Sequence, residues 1–224
     1  MLRSLALATA LSLGLLACDT VTPPVAEPTP LAAVTVTDLP ADPPTGRDPA
    51  TGRPTGTTNR FTLYSLRENR VVLASTSANR ADSASTAWDI GFRGTTIIFN
   101  GGTSGPGTTA AQILLVPFDE VTEAPAEGYR LDAGGNFAIP IGADAGWYTY
   151  IPFEGGPGGY ISPIPGRTIV LRLNDGSYAK VRILSYYRGR PAPPINPFTS
   201  TDRHYTFEFV HQPNRTRSFL SVQN

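Results

Sequence analysis

The segment from Thr168 to Leu184 leaves this chain little freedom of fold class. Ile169, Leu171 and Leu173 alternate with Thr168, Val170 and Arg172. Asn174-Asp175-Gly176-Ser177 then supplies turn residues, and Ala179, Val181 and Ile183 repeat the alternation on the way back. A period of two places each apolar set on one face of an extended strand, so the segment reads as a β-hairpin. Phe61–Leu66 with Val71–Leu73 reads as another hairpin. Asp89–Phe92 with Thr95–Phe99 forms a further strand pair, ended by Asn100-Gly101-Gly102. His204–Gln212 and Phe219–Val222 supply the last strands. Helical periodicity of any length is absent, with room for one helical turn at Ala110–Leu115. The predicted class is all-β and mostly antiparallel, a single domain with long loops, the longest being the Gly-, Pro- and aromatic-rich stretch from Pro117 to Pro165.

The first residues look like an address. Arg3 precedes an apolar run from Leu5 to Leu16, too short for a permanent span, and Ala17 precedes Cys18. Leu15-Leu16-Ala17-Cys18 resembles the bacterial lipobox, whose cysteine is diacylated before cleavage. Cys18 is the only cysteine, so a disulfide within the chain and a thiolate metal site are both excluded. Residues 1–17 are expected to be a signal peptide. Residues 18–58, with nine prolines, are expected to be a lipidated N-terminus and a disordered tether, because they hold too little apolar surface to offset chain entropy. The alternating Ala32–Leu39 is a candidate edge strand. The β domain is expected over 59–224.

Charge narrows the partners. Eighteen basic and eighteen acidic side chains cancel, and loss of Arg3 with the leader leaves about −1. Neither a nucleic-acid patch nor an acidic calcium block is present.

Several stretches, in order, resemble the HmuY family of haem-binding lipoproteins of the Bacteroidetes type. They are F-T-L-Y-S-L from Phe61, W-D-I-G-F from Trp88, N-G-G-T-S-G from Asn100, P-I-P-G-R-T-I-V-L-R from Pro163, D-G-S-Y-A-K-V-R-I-L-S-Y-Y from Asp175 and H-Y-T-F-E-F-V-H-Q from His204. The resemblance spans about Phe61 to Val222. It implies a hand-like β fold with two loop regions gripping a haem, held in the cell envelope by a lipid on the outer membrane, and delivery to an outer-membrane haem importer. It also implies axial iron ligands, His in some members and Met in others. Here the only methionine is Met1, which leaves with the leader.

Only His204 and His211 remain, and their odd separation puts them on opposite faces of a regular strand, so they pinch one iron only if the strand is broken or bulged between them. Tyrosinate is the remaining candidate, because a phenolate binds ferric haem. Tyr148 and Tyr150 in W-Y-T-Y, Tyr160 in G-G-Y-I-S-P and Tyr129 lie in the long loops, with Trp147 and Phe153 suited to stacking on a porphyrin. Glycines before Tyr160 would let backbone approach a flat ligand closely. The competing reading packs these aromatics on the β core. The rival function is a β interaction module of the cell surface that lost the haem ligands.

Enzymatic readings fare worse. The Gly101–Gly107 loop has no following Lys or helix and so is a β connection, not a phosphate cradle. Neither histidine lies in a recognisable hydrolase context, and zinc-ligand spacing is missing. Asp119, Glu120, Glu123 and Glu127 read as solvated surface. Asp89 is expected to cap a turn or pair with Arg93.

Overall fold

The computed structural model describes residues 29–50, 54–154, 156 and 158–221; the expectations for the leader and Cys18 fall outside them. Among the described residues no helix is long and apolar enough to cross a membrane. The strands are β1 (Thr29–Pro30), β2 (Val34–Pro40), β3 (Gly46–Arg47), β4 (Pro54–Thr55), β5 (Thr62–Ser65), β6 (Arg70–Leu73), β7 (Ile90–Arg93), β8 (Thr96–Phe99), β9 (Ala110–Leu114), β10 (Tyr148–Pro152), β11 (Gly159–Pro163), β12 (Thr168–Arg172), β13 (Tyr178–Ser185), β14 (His204–Gln212) and β15 (Leu220–Ser221). Among the described residues, helical turns are limited to 3-10 turns at Ala81–Ala84 and Phe118–Glu120.

A five-stranded sheet runs β2-β14-β13-β12-β9 and a four-stranded sheet β6-β5-β7-β8. Every pairing is antiparallel. The hairpin read from Thr168 forms with Ile169 opposite Val181 and Leu171 opposite Ala179. Its two faces separate as the alternation requires. Ile169, Leu171, Ala179 and Val181 enter the core between the sheets, while Val170 joins a second cluster on the outer side with Val210, Phe118, Val121 and Phe219. Strand β14 brings Tyr205, Phe207 and Phe209 inward. Phe207 stacks on Phe92 at 5.3 Å between centroids and meets the edge of Tyr64 at 5.6 Å, so aromatic pairs, each worth about 0.5–1.5 kcal/mol beyond burial, bridge the two sheets. On the outer side Lys180 is buried, yet its Nζ donates to the carbonyls of Phe118 and Val121 at 2.7 and 2.9 Å. That ammonium pins the 3-10 turn onto the sheet.

Four expectations change. Within the expected tether, residues 18–28 and 51–53 lie outside the described residues, but from Thr29 the chain is folded: β1 pairs with β15, and β2 forms the edge of the main sheet against β14. Asp42 then accepts hydrogen bonds from the Thr58 and Asn59 amides and the Thr58 hydroxyl, tying the start of the second sheet to the end of β2. Ala110–Leu115, read as a helical turn, is mostly strand β9, because β12 offers an unpaired edge there. The Pro117–Pro165 stretch contains the hairpin β10–β11, with Tyr150 opposite Ile161 and Ile151 opposite Tyr160. Asp89 does cap a turn, accepting the Leu66 and Arg67 amides, but its cation is Arg67 at 2.9 Å. Arg93 lies instead over the Phe61 ring.

One detail of register shapes the surface. Strand β13 pairs with β12 only from Tyr178 to Val181, then continues to Ser185 with β14 alone beside it. Beside that overhang lie the end of β11 and proline-rich chain at residues 190–195.

Candidate ligand-binding site

The overhang of β13 forms one wall of a cleft of about 560 Å³, within the range of small-molecule sites, about 300–1,000 Å³. The chain from Ile161 to Arg167 forms the second wall and the Arg190–Ile195 loop the third. Apolar contact comes from Phe118, Ile164, Leu184 and Ile195 among others, and from Pro163, Pro165, Pro191 and Pro193. Prolines suit the position because they expose no unsatisfied N–H to an apolar ligand.

Three guanidinium groups border this apolar space, and no carboxylate lines it. Arg182 is already engaged, by Glu208 through Nε at 2.7 Å and by Asp119 at 3.0 Å, with Phe118 beneath it. Arg167 spends its donors on the carbonyls of Gly146 and Asp144, which fix its position without neutralising its charge. Arg190 is exposed, adopts a left-handed backbone (φ 48°), and has no side-chain partner among the described residues. An apolar slot bordered by two uncompensated cations matches a ligand with an apolar body and acidic groups.

The residues singled out from sequence lie elsewhere. Trp147, Tyr148 and Tyr160 are brought together, but inside the core: each is less than 9 % exposed, and Trp147 meets Tyr148 and Tyr205 at 5.0 and 5.2 Å between centroids. Tyr150 is 48 % exposed. The close approach allowed by glycine exists, but Tyr150 itself makes it, since a Cβ on Gly159 would lie 2.6 Å from the Tyr150 ring. Tyr129 belongs to the outer cluster beside Tyr178, where burial pushes its phenol far above the ordinary value. Phe153 meets Phe198 edge-on at 6.1 Å. Of the tyrosines, only Tyr186 lines the cleft, and burial raises its phenol so far that a phenolate is strongly disfavoured.

The structure keeps the histidines apart, at opposite ends of β14. His204 bonds through Nδ1 to the Asp202 carbonyl, and His211 through Nε2 to Ser177 Oγ at 3.0 Å. Ser177 also donates to Asp175 at 2.6 Å. A carboxylate only accepts, so the single hydroxyl proton goes to Asp175 and His211 must donate to the serine. This is the reverse of the polarity a serine nucleophile needs, and Ser177 is fully buried. Among the described residues no three His, Cys, Asp or Glu side chains gather as a metal site. The Gly101–Gly107 loop folds around buried Asn100, whose side chain takes the Gly107 amide and donates to the Ser85 and Trp88 carbonyls.

Sequence reasoning missed Arg167 and Arg190. Their one signal was the placing of each beside proline-rich, isoleucine-bearing chain, P-I-P-G-R and R-P-A-P-P-I, which acquires meaning only when both segments meet β13.

Fold and cleft together define a two-sheet β domain with a lateral cleft. Its fold is similar to that of HmuY and HmuY-like proteins. The apo HmuY analogue of Tannerella forsythia is 15 % identical, over 84 % of this chain and 98 % of that one, with a TM-score of 0.39. A candidate HmuY-like haem-binding protein of Bacteroides vulgatus is 14 % identical over 81 % and 92 %, with a TM-score of 0.44. A candidate lipoprotein of Bacteroides fragilis is 13 % identical over 80 % and 87 %, also at 0.44. Likeness of this degree concerns the fold alone. No protein-family model matches the sequence, and no curated protein matches it either.

Proposed function

We propose that the protein is a lipid-anchored binding protein of the cell envelope, attached through Cys18, that captures haem or a related flat, hydrophobic, acid-bearing molecule for uptake through an outer-membrane importer. The single observation that carries the ligand reading is the cleft, apolar on its walls and bordered by Arg167 and Arg190 with no acid to neutralise them. The anchor rests on the leader and its lipobox-like ending. The cleft residues fit the ring and carboxylates of a porphyrin. They do not fit its iron, because the lining contains no histidine, methionine or cysteine, and its one phenol is held protonated.

A fluorescence and absorbance titration of the mature protein tests this reading. Iron-free protoporphyrin and hemin should both bind, with affinities within about threefold of one another. Arg190→Met should weaken both by about tenfold, the loss of one charge-assisted contact worth roughly 1.4 kcal/mol. Phe substitutions at Tyr148 and Tyr160 should leave the spectrum of bound hemin unchanged. Absence of saturable binding by either porphyrin would remove the ligand reading and leave the surface interaction module.

A further inference from the structure

A second groove, of about 370 Å³, lies beside the turn between β7 and β8 and is lined by Asp42, Thr57, Asn59, Arg93, Gly94, Thr95, Thr96, Tyr186 and Arg203. It is polar where the first cleft is apolar, and its floor is fixed from below. Tyr205 donates to the Gly94 carbonyl at 2.8 Å, Trp147 Nε1 donates to the Thr95 carbonyl at 2.9 Å, and the Gly94 amide donates to the Ala41 carbonyl at 2.9 Å. Two of the largest core aromatics thus spend their only polar atoms on holding this turn.

The walls are held in an unfavourable shape. Asp42, Asn59 and Arg203 all have left-handed backbones, with φ of 60°, 57° and 56°. Asp and Asn tolerate that region, but for arginine it is unfavourable, and such residues gather at functional sites. Arg203 also carries an unmet need. Its Nη1 donates to the Asp42 carbonyl at 3.1 Å, while its Nε is buried with no partner.

Two arginines line the groove. Arg93 reaches the Asn59 carbonyl only at 3.4 Å, and neither it nor Arg203 is paired with a carboxylate among the described residues. Of the acids nearby, Asp42 is 2 % exposed with both carboxylate oxygens taken by Thr58 and Asn59, while Asp202 stands 3.8 Å from Arg47 with its buried Oδ1 lacking a hydrogen bond, and it makes no ion pair with Arg203. Two guanidinium groups and three threonines remain without a group that only accepts.

We infer that this groove is a second binding site, for the oxyanion of a small solute, held by Arg93 and Arg203 and separate from the porphyrin-sized cleft. The shared chemistry is a carboxylate or phosphate oxygen that meets both guanidinium groups. The two grooves share Tyr186 alone among their lining residues, so variants at Arg93 and Arg203 leave the first cleft's cations in place.

Calorimetric titration of the mature protein with inorganic phosphate, sodium acetate and sodium glucuronate, at ionic strength held constant with sodium chloride, tests the site. At least one oxyanion should bind saturably and raise the melting temperature above that in chloride alone. Binding of phosphate only, or of carboxylates only, supports the site and names the source. Arg203→Met should reduce that affinity at least tenfold. Arg93→Met, which gives up only one long contact to the Asn59 carbonyl, should do the same in a protein whose circular dichroism and porphyrin titration are unchanged. Equal stabilisation by chloride, equal binding of uncharged methyl glucoside, or full oxyanion affinity in a folded Arg93→Met protein would each overturn it.

Discussion

His211 shows how burial turns a side chain into a pH-sensitive element of stability. Desolvation holds its imidazole below the ordinary value of 6.5, against the opposing pull of Asp175 and Asp89. Between the lowered folded value and the unfolded one, the unfolded chain takes up the proton and the folded chain does not. Stability contributed by neutral His211 is therefore complete above about pH 6.5 and is lost as pH falls through that value. A His211→Gln protein keeps a donor for Ser177 and should lose less stability than the parent between pH 7 and pH 5 in urea unfolding. Asp89 makes the opposite kind of case. Burial raises its carboxyl although Arg67 and two amides pull it down, and its partners are left unmet if it is removed. Asp89→Ala should cost about 3 kcal/mol by the same measurement, with porphyrin affinity unchanged, because Asp89 lies outside the cleft.

At the scale of elements, legibility in the sequence followed the range of the interactions. The β12–β13 hairpin was readable to its register because alternation and turn chemistry lie within seventeen consecutive residues, Thr168 to Leu184. Strand β2 was readable only as a candidate, since its threonine-rich alternation is surrounded by prolines and its partner β14 is far along the chain. The β10–β11 hairpin was hidden for a different reason. Gly159 serves there as the floor for the Tyr150 ring, while from sequence alone the glycines looked like loop chemistry. Placement of β2 carries a consequence that truncation can check. A chain beginning at Thr29 should unfold cooperatively, whereas one beginning at Asn59 exposes the edge of β14 and the flank of Tyr205 and Phe207. The shorter chain should aggregate or lose cooperativity in thermal melts followed by circular dichroism.

Over the whole molecule, three of the aromatics that looked available for a ligand, Trp147, Tyr148 and Tyr160, are packed into the core. The fold spends Trp147, Tyr148, Tyr160 and Tyr205 on its interior, and the proposed binding falls to arginines beside proline-rich chain. That division was illegible from composition because arginine is ordinary surface until a strand overhang and two distant loops enclose the space beside it. The pairing of β1 with β15, sealed by the Thr29 and Ser221 hydroxyls 2.8 Å apart, has a practical consequence for handling the protein. Both ends of the described chain emerge at one spot, so a short peptide bridge could join them without distorting either sheet. New termini could then be opened at an exposed turn such as Gly134–Gly135, giving a permuted protein with the same core.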